Sequence, residues 1–398
     1  MGRLNEVEAA VTTAHRSDWG RIVAGLIRRT GDWMLAEDAT QDAFAAALAT
    51  WPRDGIPDRP SAWLTTVARN RAVDRLRSAR SERSRLEATL VDEDPREGDV
   101  TDDRLRLIFT CCHPALPLPA RVALTLRTVS GLSVDEIARS FLVSEATMAQ
   151  RLVRARQKIE HAGIPYRVPP PELLAERMSG VLAVLYLVFN AGYSDVERTE
   201  LVDTAVALAQ AVVDLMPLDS EARGLLALML LQGSRRRARI DPDGALLTLE
   251  EQDRSLWDRA AIGRGWSELA GTRGRGPYVV QASIAACHAT AADAAGTDWL
   301  RIVALYDELM QVSPTAVVAL NRAIAVGMCD GPDVGLALLG ELSAELRDFP
   351  HLPAARADLL RRASRFAEAA DEYAEAIRLA PTEIERAQLR RRLGALTD

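Results

Sequence analysis

Fifteen residues, Trp63 to Arg77, combine the spacing of one helix with side chains suited to binding a nucleic acid: WLTTVARNRAVDRLR. One face carries apolar residues at a spacing of four: Leu64, Ala68, Ala72 and Leu76. Another face is polar: Thr66, Asn70, Asp74 and Arg77. From Arg69 to Arg85 there are seven arginines and two acids, a local charge of +5. Such a helix could contact phosphates and base edges, although a solvated basic surface would show the same residues.

A second segment has the pattern of a helix-turn-helix. Ser133 and Glu136 fit a capping box at the start of a first helix over 135–141, and Ser144 fits the N-cap of a second helix over 145–160. Leu142 stands in the turn, where glycine is frequent because the chain often needs a positive φ there. An ordinary packed helical hairpin is the alternative interpretation.

The second helix of this pattern divides into two kinds of surface. Four apolar residues share the face that should pack inward: Met148, Leu152, Ala155 and Ile159. Residues near its N-terminus are predicted to meet base edges: Glu145, Ala146, Ala149 and Gln150. Basic residues along its outer side suit phosphates: Arg151, Arg154 and Lys158.

The helix predicted around residues 36–48 suits a protein partner instead. It carries acids and an amide, Glu37, Asp38, Gln41 and Asp42, beside the apolar Phe44 and Leu48. An acidic face with an apolar rim indicates a docking surface for a basic protein, although a simple amphipathic surface helix fits as well.

Composition limits the function further. The chain has 398 residues and a net charge of −7, but residues 1–167 hold 25 basic and 23 acidic residues, against 24 and 33 in 168–398. Lys158 is the only lysine, so a Gly-rich phosphate loop ending in Lys-Ser/Thr is excluded. The longest apolar run, 181–189, is too short for a bilayer, and residues 1–10 lack the apolar core of a signal peptide. With four cysteines, we expect a cytoplasmic protein with free thiols.

The predicted fold class is all-α. Good helix formers dominate, and runs of alternating β-branched residues are missing. We predict five parts: a helical domain over 1–85, an acidic mobile linker over 86–103, a helix-turn-helix domain over 104–162, a proline-rich linker over 163–171 and a helical domain over 172–398. In the last part Pro217, Pro314 and Pro381 are 97 and 67 residues apart, close to three and two units of about 34, which indicates tetratricopeptide-like repeats.

Residues that could perform catalysis or bind a metal do not converge on a site. Cys111, Cys112 and His113 have no second ligand pair at zinc-binding spacing, so buried thiols are favoured over a metal. Glu250 and Glu251 are adjacent, and adjacent side chains on a helix diverge. We predict neither an enzyme nor a cofactor.

The order and spacing of the three segments resemble the extracytoplasmic-function type of RNA polymerase sigma factor over residues 10–162. AEDATQDAF is similar to the region 2 helix that binds the polymerase clamp helices, which implies polymerase contacts at Asp38, Gln41, Asp42 and Phe44. SAWLTTVARNRAVDRLR is similar to the part that opens and reads the −10 element, which implies DNA contacts at Trp63, Arg69, Asn70, Asp74 and Arg77. Trp63 could equally belong to the core. The helix-turn-helix is similar to region 4, which reads the −35 element and meets the polymerase flap.

The long C-terminal part resembles the subgroup of these factors with a fused tetratricopeptide-like domain, through phrases such as FTCCHPAL (109–116) and LEEQDRSLWD (249–258). The resemblance implies regulation in cis, or by a soluble protein or ligand, without a membrane partner. A DNA-binding activator with the same repeats remains the alternative, and it would need neither the docking helix nor the Trp63–Arg77 segment.

Overall fold

The computed structural model describes residues 2–82, 97–141, 143–194, 199–242 and 244–396. Within these ranges the chain forms helices and no strand, apart from an isolated bridge between Ile240 and Leu246. The predicted all-α class is therefore confirmed. The chain divides into two compact units, Met1–Leu215 and Met216–Asp398.

The described part of the first unit contains nine α-helices. They are α1 (Gly2–Thr30), α2 (Trp33–Asp54), α3 (Pro60–Glu82), α4 (Glu97–Cys111), α5 (Leu118–Leu124), α6 (Val134–Ser140), α7 (Glu145–His161), α8 (Pro171–Ser194) and α9 (Thr199–Leu215). A turn of π-helix, Thr125–Val129, continues α5.

Helix α1 is the central element of this unit, since α2, α3 and α4 all pack against it. The side chain of Asp32 caps α2 by accepting a hydrogen bond from the amide of Leu35 at 3.0 Å. Helix α2 ends at Asp54 and is capped by Gly55, whose φ of 88° favours glycine. Trp51 near that end is 2% exposed and belongs to the core between α2 and α3.

Parts of both predicted linkers pack on the first unit, because polar residues within them pair with residues of its helices. Helix α4 begins at Glu97, so the last seven residues of the acidic segment 86–103 are helical, and residues 83–96 lie outside the described ranges. Asp103, expected in a solvated linker, has a side chain 3% exposed that pairs with Arg28 at 2.8 Å and with Arg106 at 2.9 Å. Tyr166 in the proline-rich segment donates its hydroxyl to the carbonyl oxygen of Ala24 at 3.0 Å. Both segments therefore contribute to the first unit.

The boundary of the C-terminal part also differs from the prediction. Helices α8 and α9 were assigned to a domain over 172–398, but α8 packs on α4 and α5 and α9 packs on α4 and α8. Helix α8 carries a long run of apolar residues that is stable only when it is buried, and its Val181, Leu185 and Phe189 are at most 1% exposed. The first unit therefore extends to Leu215.

The described part of the second unit contains nine more α-helices. They are α10 (Ser220–Gly233), α11 (Arg259–Ala270), α12 (Pro277–Thr290), α13 (Trp299–Val312), α14 (Ala316–Cys329), α15 (Pro332–Glu341), α16 (His351–Arg362), α17 (Phe366–Leu379) and α18 (Glu383–Gly394). From α11 onward each helix packs on the next one in the sequence, as in an array of helical hairpins.

The three prolines that suggested repeats do follow helices. Pro217, Pro314 and Pro381 each lie two residues after the end of a helix: α9, α13 and α17. The hairpin of α16 and α17 packs through small residues, with Ala357, Ala369 and Ala376 fully buried beside Tyr373. A tetratricopeptide-like origin of this unit remains a prediction.

No helix in the described ranges is long and apolar enough to cross a membrane.

Candidate nucleic-acid interface

Helix α3 carries the arginine-rich segment and is held by its apolar face, as the spacing predicted. Leu64, Ala68 and Ala72 are at most 2% exposed, and Leu76, the fourth residue of the predicted face, is half-buried. At the start of the helix, the hydroxyl of Ser61 donates to the carboxylate of Asp18 on α1. Asp18 is 6% exposed and also pairs with Arg21 at 2.8 Å. These contacts fix the orientation of α3 on the first unit.

The five predicted −10 residues on α3 do not all reach the surface. Asn70, Asp74 and Arg77 are exposed, while Arg69 is half-buried. Trp63 is half-buried as well, with its ring edge-to-face on Trp51 at a centroid distance of 5.5 Å. The packing of Trp63 on a core residue fits the alternative in which it is structural.

The predicted docking residues lie on two different faces of α2. Asp38 and Gln41 are exposed, and they continue a stripe with Met34 (58% exposed), Ala45 and Leu48 (48% exposed). We call these five residues the α2 stripe. It combines apolar ends with a polar centre.

Two acids of this helix are paired within the molecule. Arg75 on α3 donates to Asp38 at 2.9 Å and to Asp42 at 2.7 Å. All three side chains are 40–52% exposed, so the pairs contribute less than about 1 kcal/mol and can exchange readily for an external cation.

Phe44 does not belong to the α2 stripe. It is 6% exposed and packs between the rings of His15 and Trp19, at centroid distances of 5.0 and 6.1 Å. The structure therefore gives Phe44 a packing role rather than the docking role predicted from the sequence. Two helical turns separate Phe44 from Glu37, so both side chains lie on the buried face of α2.

Glu37, which the sequence placed on the acidic docking face of this helix, is instead buried on its opposite side. It is 3% exposed, and arginines from two later elements donate to it: Arg127 at 3.0 Å and Arg156 at 2.7 Å. A carboxylate on the apolar side of an amphipathic helix is a detectable signal, because buried acids require paired partners. The partners themselves are 90 and 119 residues away in the sequence.

The helix-turn-helix forms with the predicted caps. The amide of Glu136 donates to the Ser133 hydroxyl at 3.2 Å, and the amide of Ser133 donates to the Glu136 carboxylate at 2.6 Å, which completes the capping box. Ser144 caps α7 by accepting from the amide of Thr147 at 3.2 Å. Leu142, the unusual turn residue, lies outside the described ranges.

Helix α7 buries its predicted apolar face and exposes its predicted DNA face. Met148, Leu152, Ala155 and Ile159 are at most 6% exposed. Five of the seven predicted contacts are exposed: Glu145, Ala146, Gln150, Arg154 and Lys158. Ala149 and Arg151 are half-buried, and the guanidinium of Arg151 lies 5.3 Å from the centroid of the Phe141 ring. A groove of about 520 Å³ runs between α7 and the start of α5, with Arg151, Arg154 and Lys158 on its wall.

The surroundings of Cys111, Cys112, Glu250 and Glu251 are typical of residues with a structural role. Burial raises the pKa of the Cys111 thiol, and it raises the pKa of Cys112 to about 11. Glu250 and Glu251 pair with Arg362 and Arg391. Among the described residues, no group of three or more His, Cys, Asp or Glu side chains is placed to hold a metal ion.

His288 in the second unit is a buried imidazole. Burial, together with the nearby cations Arg235 and Arg254, lowers its pKa to about 4. Its ring packs edge-to-face on Trp299 at 5.4 Å. The neutral form is therefore the one that the fold accommodates.

Comparison with known families assigns the same segments. The Sigma-70 region 2 model matches residues 17–82, which cover the second half of α1 and all of α2 and α3. The Sigma-70, region 4 model matches residues 106–159, which run from the last residues of α4 through α5 and α6 to near the end of α7. A family of unknown function (DUF6596) matches residues 177–273.

Three curated relatives are informative. The uncharacterized protein R00370 of Rhizobium meliloti is 42% identical over 392 residues, which are 94% of this chain and 93% of that protein. The ECF RNA polymerase sigma factor SigL of Mycobacterium tuberculosis is 30% identical over 177 residues, 41% of this chain and 99% of SigL. The probable ECF RNA polymerase sigma factor SigI of the same species is 29% identical over 171 residues, 41% of this chain and 58% of SigI.

Proposed function

Because this chain belongs to the extracytoplasmic-function (ECF) family of RNA polymerase sigma factors, we propose that it binds core RNA polymerase and directs initiation at specific promoters. One observation carries the proposal: α2, α3 and α7 each bury an apolar face and expose the polar face that the sequence assigned to polymerase, −10 DNA and −35 DNA. The protein then acts by binding, and its residues need not catalyse a bond change.

The α2 stripe is the proposed contact with the polymerase clamp helices. Met34 and Leu48 offer apolar surface, and Asp38 and Gln41 offer acceptors for basic side chains. Asp42 stands beside the stripe, and its weak pair with Arg75 can be exchanged for an arginine of the partner. Phe44 supports this surface from inside. Region 4 would meet the polymerase flap, as in the family.

Helix α3 is the proposed −10 reader. Asn70, Asp74 and Arg77 offer polar groups to an extruded base and its backbone, with Arg69 and Trp63 at the edge of this surface. Binding of an extruded base offsets an unstacking cost of a few kcal/mol. Helix α7 is the proposed −35 reader. Its N-terminal residues 145–150 enter the major groove, while Arg151, Arg154 and Lys158 bind phosphates.

We further propose that the second unit regulates initiation in cis or through a soluble protein or ligand. Residues 216–398 carry 22 basic and 26 acidic residues, a net charge of −4, so this unit can compete electrostatically with nucleic acid. The unit is compact in its own right over 216–398. A cytoplasmic location follows from the role in transcription.

Run-off transcription tests the assignment. The full-length protein is added to purified core polymerase on DNA from upstream of its own operon. We expect transcripts only when the protein is present, and a loss of at least about tenfold in the double variant Asp38→Ala, Gln41→Ala. Glu8→Gln, an exposed acid on α1, is the matched control. If core polymerase stays silent while a holoenzyme with another sigma factor is stimulated, the protein is an activator instead.

A chain ending at Leu215 tests the regulation. This end keeps α8 and α9, which pack on α4, whereas an end near residue 167 would remove them and expose their partners. Circular dichroism checks that the shortened chain is folded. An output equal to that of the full-length protein, under all conditions that change the latter, would exclude regulation by residues 216–398.

A further inference from the structure

The second unit contains a cavity of about 190 Å³. Its walls come from the segment that precedes α11 and from α12, α13, α14, α16 and α18. Apolar residues form part of these walls: Trp299, Ile324, Met328 and Leu359. An apolar wall with a few charged groups is the usual composition of a small-molecule site, and this cavity is smaller than the clefts that bind drug-sized ligands.

The charged residues of the walls leave one cation without an acid. Arg362 pairs with Glu250, and Arg392 pairs with Asp358. Arg254 lines the same cavity and is 9% exposed, but it forms no ion pair with any residue that the structure describes. A buried guanidinium without a carboxylate is uncommon, because loss of water penalises its charge.

The surroundings of Arg254 do not compensate its charge fully. Burial is the largest effect and lowers the pKa of this guanidinium. Asp293 raises the pKa from beyond ion-pair distance, whereas Arg235 and Arg259 lower it. An anion beside Arg254 would therefore restore the balance of charge.

The end of α12 uses only part of the Arg254 guanidinium. One terminal nitrogen, Nη1, donates to the carbonyl oxygens of His288 and Ala291 at 2.9 and 2.6 Å. These bonds cap the C-terminal end of the helix, which favours a cation. The other terminal nitrogen, Nη2, is buried and has no hydrogen-bond partner among the described residues. Capping thus accounts for one nitrogen and leaves the other to be explained.

A second buried nitrogen at this cavity belongs to His288. The Nδ1 atom of its ring has no partner within the described ranges. The imidazole is neutral at pH 7, so its single proton can stand on Nδ1 and make that atom a donor. Arg254 is bonded to the carbonyl oxygen of the same residue, so the two groups are neighbours. Two neighbouring donors suit the two oxygens of one carboxylate.

Size and charge together limit the ligand. An apolar cavity of about 150 Å³ accommodates benzene, so a cavity of about 190 Å³ has room for one such ring, or a short chain, with a carboxylate attached. Arg254 balances a single negative charge. A second negative charge would be buried without a partner, which disfavours dicarboxylates and phosphate esters.

We propose that this cavity binds a small monocarboxylate, whose carboxylate accepts hydrogen bonds from Arg254 and His288 and whose apolar ring or chain lies against the apolar wall. The proposal gives a chemical class to the ligand through which the second unit would regulate initiation, and only that consequence rests on the proposed function. Binding itself requires neither polymerase nor promoter DNA.

Isothermal titration calorimetry of the full-length protein tests the site with benzoate as the probe. Benzoate combines a ring of the size of benzene with one carboxylate, and we expect a Kd of about 1 mM or lower. Benzamide has nearly the same shape without the charge, and acetate has the charge without the ring. Each of these two should bind at least about tenfold more weakly than benzoate.

Two variants change the site independently. Arg254→Gln removes the charge, and Ala294→Leu fills the cavity from the loop after α12 without altering Arg254. Both should weaken benzoate binding at least about tenfold. Arg347→Gln, at an exposed arginine outside the cavity, is the matched control and should bind like wild type. Because Arg254 also caps α12, hydrogen exchange over 277–290 checks that the helix persists, and Ala294→Leu decides the question if it does not.

Three results would contradict the inferences. Absence of benzoate binding up to about 10 mM, or equal affinity in wild type and both cavity variants, would mean that water fills the cavity, and the proposed site would be wrong. Acetate or benzamide binding as tightly as benzoate would overturn the assigned chemical class. Absence of run-off transcription with core polymerase would contradict the proposed function instead, while the titrations would still report on the cavity.

Discussion

Two glycines of α1 should respond in opposite ways to the same substitution. Gly20 and Gly25 both lie inside the helix, where alanine is favoured over glycine by about 1 kcal/mol. A Cβ on Gly25 meets nothing within 4 Å, so Gly25→Ala should stabilise the first unit by up to about 1 kcal/mol. A Cβ on Gly20 would lie 2.6 Å from the carbonyl oxygen of Val129, which is backbone and cannot rotate away. Overpacking of this kind costs about 1–3 kcal/mol.

The difference between the two variants isolates the clash, because the helix-propensity gain is common to both. Gly20→Ala should therefore be about 1–3 kcal/mol less stable than Gly25→Ala. Native-state hydrogen exchange of the full-length protein, resolved over α1 and residues 125–131, reports the free energy of local opening in this unit separately from the other. Equal stabilisation by both substitutions would refute the close approach of α1 to Val129.

Three further predictions concern other sites. His288 has a pKa of about 4 in the folded protein against 6.5 in the unfolded chain. The stability that this difference contributes is complete above pH 6.5 and falls by about 3 kcal/mol as the pH drops towards 4, because the unfolded chain binds the proton first. His288→Gln should therefore flatten the dependence of the unfolding free energy on pH in this range, as measured by urea unfolding. Cys111 and Cys112, whose burial raises each pKa, should resist a thiol reagent at pH 8 until the protein is unfolded, and rapid labelling of either in the native protein would contradict their burial. Arg154→Gln should weaken binding to a DNA fragment that carries the −35 element and reduce the slope of log affinity against log salt by about 1, while Arg139→Gln, a control on α6, should leave the slope unchanged.

Sequence periodicity was sufficient to predict those features that depend only on neighbouring residues of one helix. The spacing of Leu64, Ala68 and Ala72 predicted the buried face of α3, and all three are buried. The capping box of Ser133 and Glu136 predicted the start of α6 within one residue. These features are local because the hydrogen bonds and the packing stripe repeat every three to four residues.

Features that depend on distant partners escaped the same reasoning. Nothing near Asp103 indicates that Arg28, 75 residues earlier, makes a buried pair with it, so the acidic segment was assigned to solvent. The direction of Phe44 was also undetermined. An amphipathic helix with a ring beside acids can show that ring to a partner or to its own core, and only the position of His15 and Trp19 decides.

The separation of Glu37 and Arg156 along the chain also determines how long after Glu37 its partner is synthesised. Ribosomes add about 5–20 residues per second, so the 119 residues between the two require roughly 6–24 s. During this interval region 2 of each nascent chain exists without Arg156, which donates to both oxygens of Glu37 in the folded chain. Region 2 of every newly made molecule must therefore accommodate the Glu37 carboxylate without its partners until first Arg127 and then Arg156 have been synthesised.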